Sequence, residues 1–511
     1  MNLPRFKTRP LHIDEQTTVA DLARNVRTFI ADSKLWLGAL LGLLGAYYFF
    51  TNRLGTSTFI LTSIGTFLVL HLWSVNGKGV PLLPTMAIQH LLAYGIPIVT
   101  ANEALTKYPR SEFQTAGMEL LVFQLAMAAG WYALMQIVPP CRPISYTLTL
   151  LRRGGFRAFR KLGLILVAAT TVYELAYTSG FLDPAFAVLP QGSYPVLVAV
   201  TGAASMCGFF IAALGVGSGE IERSFKIFFW SAFAIQCIVS AASLLLSSTI
   251  IYIASVMIGL FWSSGRFPWK FVVITIAVLS FFNLSKHEMR MQYWNPNTGE
   301  MRNYSITNLP TIYTDWFNAS TTMMFEPREE TRAEREARQS LADRVNNLSN
   351  LLFIIDAVEH QHIDLLNGAT YAIIPPLLIP RYFWPEKPRA HEGQVMLNVH
   401  FGRQDLHSTF TTYIAWGLVP EAYGNYGPFM GSIILGLFLG GFMAVVERMT
   451  QNKALLSLEG FALFALFLGM ATSYEMVASV LVTSVFQSIV SICMAVAPFV
   501  DRTVHRREKP A

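Results

Sequence analysis

Apolar residues in this chain come in long uninterrupted runs, without the period-two or three-to-four spacing of half-buried elements. Runs near 35–50, 57–75, 80–100, 115–138, 162–179 and 193–215 have the length and composition of helices that cross a bilayer. The stretch 226–262 is too long for one helix and reads as a hairpin broken around Ser240 to Ser243. Further runs at 270–284, 428–446, 455–472 and 477–499 bring the expected total to about 12 spans. Trp36, Trp73, Trp262 and Trp269 stand at run ends, where amphipathic rings favour the headgroup region.

The spacing of these runs divides the chain into a polar N-terminal segment (1–34), transmembrane helices 1–9 (35–284), a large loop (285–427), transmembrane helices 10–12 (428–499) and a basic tail (500–511). Short loops on the cytoplasmic side retain Lys and Arg. The densest group is Arg142, Arg152, Arg153, Arg157, Arg160 and Lys161. Placing it inside also brings inside Arg5, Lys7 and Arg9, Lys78, Arg223 with Lys226, Arg266 with Lys270, Arg448 with Lys453, and the Arg506, Arg507, Lys509 tail. Reading 226–262 as one helix would break this agreement. Both termini are then cytoplasmic and 285–427 is extracytoplasmic.

Composition agrees with an all-α integral membrane protein, a polytopic bundle with one large extracytoplasmic loop that itself contains helices. The chain is 53% hydrophobic and 14% charged with a mean hydropathy of +0.42, more apolar surface than a soluble core would bury. No signal-peptide pattern precedes Trp36. Cys141, Cys207, Cys237 and Cys493 form no metal-ligand spacing, and the net charge of +6 follows membrane side rather than any nucleic-acid motif. The expected partners are the lipid bilayer and a lipid-borne substrate, with no nucleic acid and no cofactor.

Within the loop, a helix is expected from about Pro327 to His360. Its first part, Arg328 to Arg338, is charged; its second carries the stripe Leu348, Leu351, Leu352, Ile355 and Val358, with Arg344 at the next position. The prolines at 375, 376 and 380 make Ala372 to Ile379 re-entrant or interfacial. Three cations, Arg381, Lys387 and Arg389, follow on a proline-stiffened backbone beside Tyr382, Phe383 and Trp384. Such a segment suits an anion at headgroup height, with an aromatic face for a sugar ring; the plainer alternative is an anchor on anionic lipid. Lys286 and Arg290 add positive charge at the loop entrance.

Gly368-Ala-Thr-Tyr371, Ile379-Pro-Arg381-Tyr-Phe-Trp384-Pro385-Glu386-Lys387-Pro388 and Glu421-Ala-Tyr423-Gly-Asn425-Tyr-Gly427 resemble the loop signature of oligosaccharide repeat unit polymerases, the Wzy-type O-antigen polymerase class. The likeness lies in 285–427; the spans agree only in number and hydropathy. It implies polymerisation of undecaprenyl-diphosphate-linked oligosaccharides into a surface polysaccharide on the outer face of a bacterial inner membrane, with a chain-length regulator as a partner. It also implies essential loop arginines, here Arg381, then Arg290 and Arg344, and no obligatory metal. The insert at 326–338 departs from the pattern. A flippase or exporter of lipid-linked sugars and an O-antigen-ligase-like transferase are the alternatives.

Glycosyl transfer from a lipid diphosphate needs the departing charge stabilised and an acceptor hydroxyl deprotonated. Arg381, Lys387 and Arg389 are the candidates for the first task. His391, His407, Glu386 and Glu421 are candidates for the second; Glu421 would otherwise cap a helix beginning near Tyr426. Trp384 and Asn425 complete the expected substrate-binding set with Arg290 and Arg344. His360 and His362, two apart on a helix, diverge and do not read as a metal pair. Glu119, Glu174 and Glu475, in the outer halves of spans, are candidates for a cavity floor. Gly215-Val-Gly217-Ser-Gly219 reads as a turn.

Overall fold

The computed structural model describes residues 17–188, 193–219, 221–244, 246–295, 305–325, 345–379, 383–384, 386–410, 414–473 and 476–504; of 150–160, 195, 247, 410, 503 and 504 it describes the backbone alone. Among the described residues the secondary structure is helical apart from one two-stranded ribbon. Among the described residues eight helices are long and apolar enough to cross a membrane, or nine if a bent pair counts as one span. In chain order the first ten helices are α1 (Val19–Phe50), α2 (Thr56–Asn76), α3 (Leu82–Val99), α4 (Arg110–Ile137), α5 (Thr149–Thr178), α6 (Asp183–Ala187), α7 (Ser193–Ser218), α8 (Arg223–Ala241), α9 (Leu246–Ser264) and α10 (Trp269–Leu284). The long apolar stretch is thus two packed helices, α8 and α9, parted at 242–245. Then come α11 (Lys286–Tyr293), bent by 53° from α10, α12 (Leu309–Phe325), α13 (Asn347–Glu359), α14 (Ala369–Ala372), α15 (Ile374–Leu378), α16 (Glu392–His400) and α17 (Leu418–Tyr426). The chain closes with α18 (Met430–Thr450), α19 (Leu458–Thr472) and α20 (Ala478–Val496).

Two sequence expectations change. Residues 19–34 are not a polar lead-in but the first half of α1: Asp21 accepts bonds from the Thr18 backbone N–H and hydroxyl at its start, and Val19, Leu22, Val26 and Ile30 bury one stripe. The Gly215 to Gly219 run is mostly helix. Gly217 lies against α9, where a Cβ would meet the Leu260 carbonyl at 2.9 Å, and only Gly219, at φ +79°, turns the chain.

Helix α4 is the axis of the bundle, packed along α2 and α18. Gly436 and Gly440 let α18 approach it closely, since a Cβ on Gly436 would lie 2.6 Å from the Phe123 carbonyl and one on Gly440 nearer still to that of Met127. Small residues at this spacing replace the hydrophobic drive that lipid cannot supply.

The connections gather at two ends. At one end β1 (Ile144–Leu148) pairs antiparallel with β2 (Val500–Val504), Thr18 bridges Ala454, Cys141 N donates to the Arg448 carbonyl, Arg27 donates to the Gly77 carbonyl and Phe29 stacks on Phe267. These are the segments that carry the short-loop Lys and Arg. At the opposite end Arg110 binds Asn52, Arg53 binds the Val99 carbonyl, and the segments from α11 to α17 cover the helix ends. Helix α13 is the centre of that cover: Leu348, Leu351, Leu352 and Ile355 are fully buried and Val358 partly so, as their stripe requires, against α3, α4 and α17. Arg344 and the charged segment 328–338 lie outside the described residues.

Candidate functional site

The covered end is where polar side chains accumulate inside the protein. Asn350, on the buried side of α13, donates to the Ala415 and Trp416 carbonyls at 2.7 and 3.1 Å and accepts from Arg403 Nη1 at 2.6 Å. The Arg403 guanidinium lies over the rings of Phe353 and Trp416, at 5.2 and 5.5 Å from their centroids. Trp416 is itself fixed by donating to Asn398 at 2.8 Å. Among the described residues no carboxylate forms an ion pair with Arg403. A planar cation stacked against two adjoining aromatic rings is fixed in position.

Beside it the first turn of α4 presents Glu112, and the last turn of α13 presents Asp356, Glu359 and His360. Glu112 is 2% exposed, with neither carboxylate oxygen hydrogen-bonded, and His360 Nδ1 stands 3.6 Å from Glu112 Oε1 and 3.6 Å from Asp356 Oδ1. Tyr423 on α17 donates to Glu359 at 2.6 Å, and deeper along α4 Glu119 accepts from Phe429 N and Ser432 Oγ at 2.6 and 2.5 Å. Glu119 therefore acts as an anchor for the start of α18. Glu174, half-buried on α5, lies apart from this group, and Glu475 is outside the described residues.

Helices α14, α15 and α16 pack against α20. The Gly393 backbone comes close to Ser479, whose hydroxyl donates to the Ala390 carbonyl, and buried Gln394 donates to Met476 Sδ. Gln394 Oε1 meets His391 Nδ1 at 2.7 Å, which fixes the direction of the imidazole ring. Glu421 lies beneath, fully buried. It does not cap a helix near Tyr426 but sits inside α17 and accepts the Ala478 N–H at 2.6 Å, capping α20 from a different helix. Burial pushes its carboxyl up to about 7, against the pull of that N–H and of the Thr370 hydroxyl.

The predicted cations divide. Arg381 is outside the described residues. Lys387 donates to the Leu377 and Ile379 carbonyls at 2.7 and 2.5 Å, at the end of α15, and Arg389 pairs with Glu392 at 3.2 Å on the surface. Arg290 donates to the Leu244 carbonyl at 2.9 Å and stacks on Trp294 at 4.3 Å, tying α11 to the α8–α9 turn. Trp384 is 41% exposed, as a surface ring should be. Asn425 is corrected: fully buried, it accepts from Gly368 N at 3.0 Å and donates to Thr370 Oγ1 and the Glu421 carbonyl, so it clamps α17 to the 366–370 turn and presents nothing to a substrate. His407 and Glu386 are exposed.

Comparison with protein-family models, with curated proteins and with solved structures gives no match.

The sequence reading missed Arg403, Glu112, Asp356 and Glu359. Glu112 stands just before the apolar run 115–138 and so looks like loop. The one legible signal was Asp356 and His360, four apart on a helix face.

Proposed function

We propose that the chain polymerises prenyl-diphosphate-linked oligosaccharide units, transferring a growing glycan from its lipid carrier onto a second lipid-linked unit at the covered end of the bundle. In this reading all of the predicted runs span, about 12 in number, the end that carries the basic loops is cytoplasmic, and the covered end is outside, in a bacterial inner membrane. The observation that carries it is an apolar groove with an arginine bonded to the turn at one end of it. The groove, of about 910 Å³, runs along α8, α10 and α12 from Phe267 and Lys270 to Leu246 and Phe282. It suits a prenyl chain. Arg290 holds the Leu244 carbonyl in the turn that closes the groove's outer end, at the height a diphosphate would occupy.

In this reading arginine side chains meet the departing diphosphate without a metal at the leaving group, Arg290 and Arg403 being the candidates among the described residues and Arg381 the candidate from the sequence. His391, held by Gln394, is the general base for the acceptor hydroxyl, with Trp384 and Phe383 as the exposed surface for a sugar. Glu421 supports the segment from below.

Purified protein in lipid, given synthetic prenyl-diphosphate-linked repeat units, should build a ladder of elongated products. Arg290→Lys and Arg403→Lys keep charge and lose the planar fork, so each should slow elongation roughly a hundredfold. A wild-type protein that leaves the units unextended, or undiminished turnover in both variants, would remove the reading. Sidedness is tested separately by cysteines at exposed Gln361 and Tyr146. An impermeant thiol reagent applied outside should reach the first and not the second.

A further inference from the structure

Glu112 breaks the rule that a buried carboxylate is bonded. It is 2% exposed and neither oxygen has a hydrogen-bond partner, yet it is aimed at two further donors: Asp356 Oδ1 and His360 Nδ1, the three ligand atoms lying within 4.8 Å of one another. Charged neighbours among the described residues include Asp356 and Glu359, which add negative charge, and His360, which opposes them. Protonated His360 alone would leave two carboxylates sharing one half-exposed cation at 3.6 Å, beyond hydrogen-bond length.

We propose that Glu112, Asp356 and His360 form a binding site for a first-row divalent cation, Zn²⁺ or Mn²⁺, which locks the cover helix α13 to the outer end of α4. Four features carry it. The 3.6 Å separations suit one ion, because tetrahedral ligands about 2.1 Å from a metal stand about 3.4 Å apart. Asp356 and His360 are one helical turn apart and face the same way. The surroundings already orient a ligand, since Gln361 Nε2 donates to the second Asp356 oxygen at 2.7 Å and leaves Oδ1 turned to the cluster. Access is also built in: His360 is 53% and Asp356 33% exposed at the side-chain level, so the ion enters from the covered face and meets Glu112 last.

An imidazole with two carboxylates favours Zn²⁺ or Mn²⁺ over Mg²⁺ and Ca²⁺, which prefer all-oxygen shells. The ion is a brace between α13 and α4 and takes no part in assisting the leaving group. This site is independent of the glycan reading and is tested without activity.

Protein purified in chelator, exchanged into metal-free detergent buffer and titrated with ZnCl₂ or MnCl₂, should bind one ion per chain by calorimetry and melt at higher temperature when loaded. Glu112→Gln and His360→Asn should each weaken binding at least tenfold, while His407→Asn and His362→Asn leave it unchanged; gel filtration reports whether each variant is folded. His360→Asn alters a half-exposed side chain and keeps the test open if Glu112→Gln fails to fold. Absence of saturable binding, or binding that survives both ligand substitutions, would overturn the site. So would loss of binding in His407→Asn or His362→Asn, which would place the ion on surface histidines.

Discussion

Helix α4 meets a buried glutamate at each end, and the two could hardly be treated more differently. At the end carrying the basic loops, Glu447 accepts four bonds: Trp73 and Trp131 indole N–H groups at 3.2 and 3.0 Å, and the backbone N–H groups of Lys78 and Gly79 at 2.5 and 2.8 Å. At the covered end Glu112 accepts none. Glu119 lies between them along α4, with two. A carboxylate with its lone pairs filled by its own fold joins helices and has no capacity left for a ligand. One left unfilled among other acids costs stability unless a proton or a cation joins it. Architecture is thus concentrated at one end of α4 and binding capacity at the other.

The comparison is broken most severely at Glu447. Glu447→Ala would orphan four donors, three of them buried, each worth about 1 kcal/mol or more, so a loss of about 3–4 kcal/mol or failure to accumulate folded protein is expected in thermal unfolding. A mild effect there would mean that this end is not the organising one.

Next comes Glu421, the buried acid of the covered end that does have a backbone partner. Its folded pKa of about 7 is raised from 4.5, so its protonated form is the one that folding favours. The stability it contributes is complete below the unfolded pKa and is lost as pH rises through about 7, a change of about 3 kcal/mol. Unfolding measured across that window should show wild type weakening as pH rises and Glu421→Gln remaining flatter. Equal slopes would show that the carboxyl titrates normally despite its burial.

A smaller effect is expected at Asn425. Asn425→Ala removes two bonds between α17 and the 366–370 turn and one within α17, leaving the Gly368 N–H unmatched, for about 2 kcal/mol. If elongation activity per folded molecule is then unchanged, the residue is a clamp.

Much of the scaffold was legible because lipid imposes one simple demand, a long apolar helix, and the runs declare it. The stripe of α13 was legible for a related reason: Leu348, Leu351, Leu352 and Ile355 share one face and needed a partner. Residues 19–34 were misjudged because Asp21, Arg24 and Arg27 masked a stripe with the same spacing. The site was far less legible. Lys387 and Asn425 have the right chemistry, but their polar atoms are turned to partners within the protein, which no spacing reveals. Glu112 and Glu447 both stand at the margin of an apolar run, where an acid ordinarily meets water, and only packing against residues hundreds of positions away separates them. His360 was weighed against His362, its neighbour in sequence, when its partners are Asp356, one turn back, and Glu112, on another helix.

The most direct test is to make the same substitution at both ends of α4 and melt the proteins in chelator. Replacing Glu447 by Gln leaves an amide that cannot accept from all four donors, so that protein should unfold well below wild type. Replacing Glu112 by Gln removes an uncompensated charge from beside Asp356 and Glu359, so that protein should unfold at or above wild type. A Glu112→Gln protein that melts as far below wild type as Glu447→Gln would show that both carboxylates are structural and that the covered end holds no spare binding capacity.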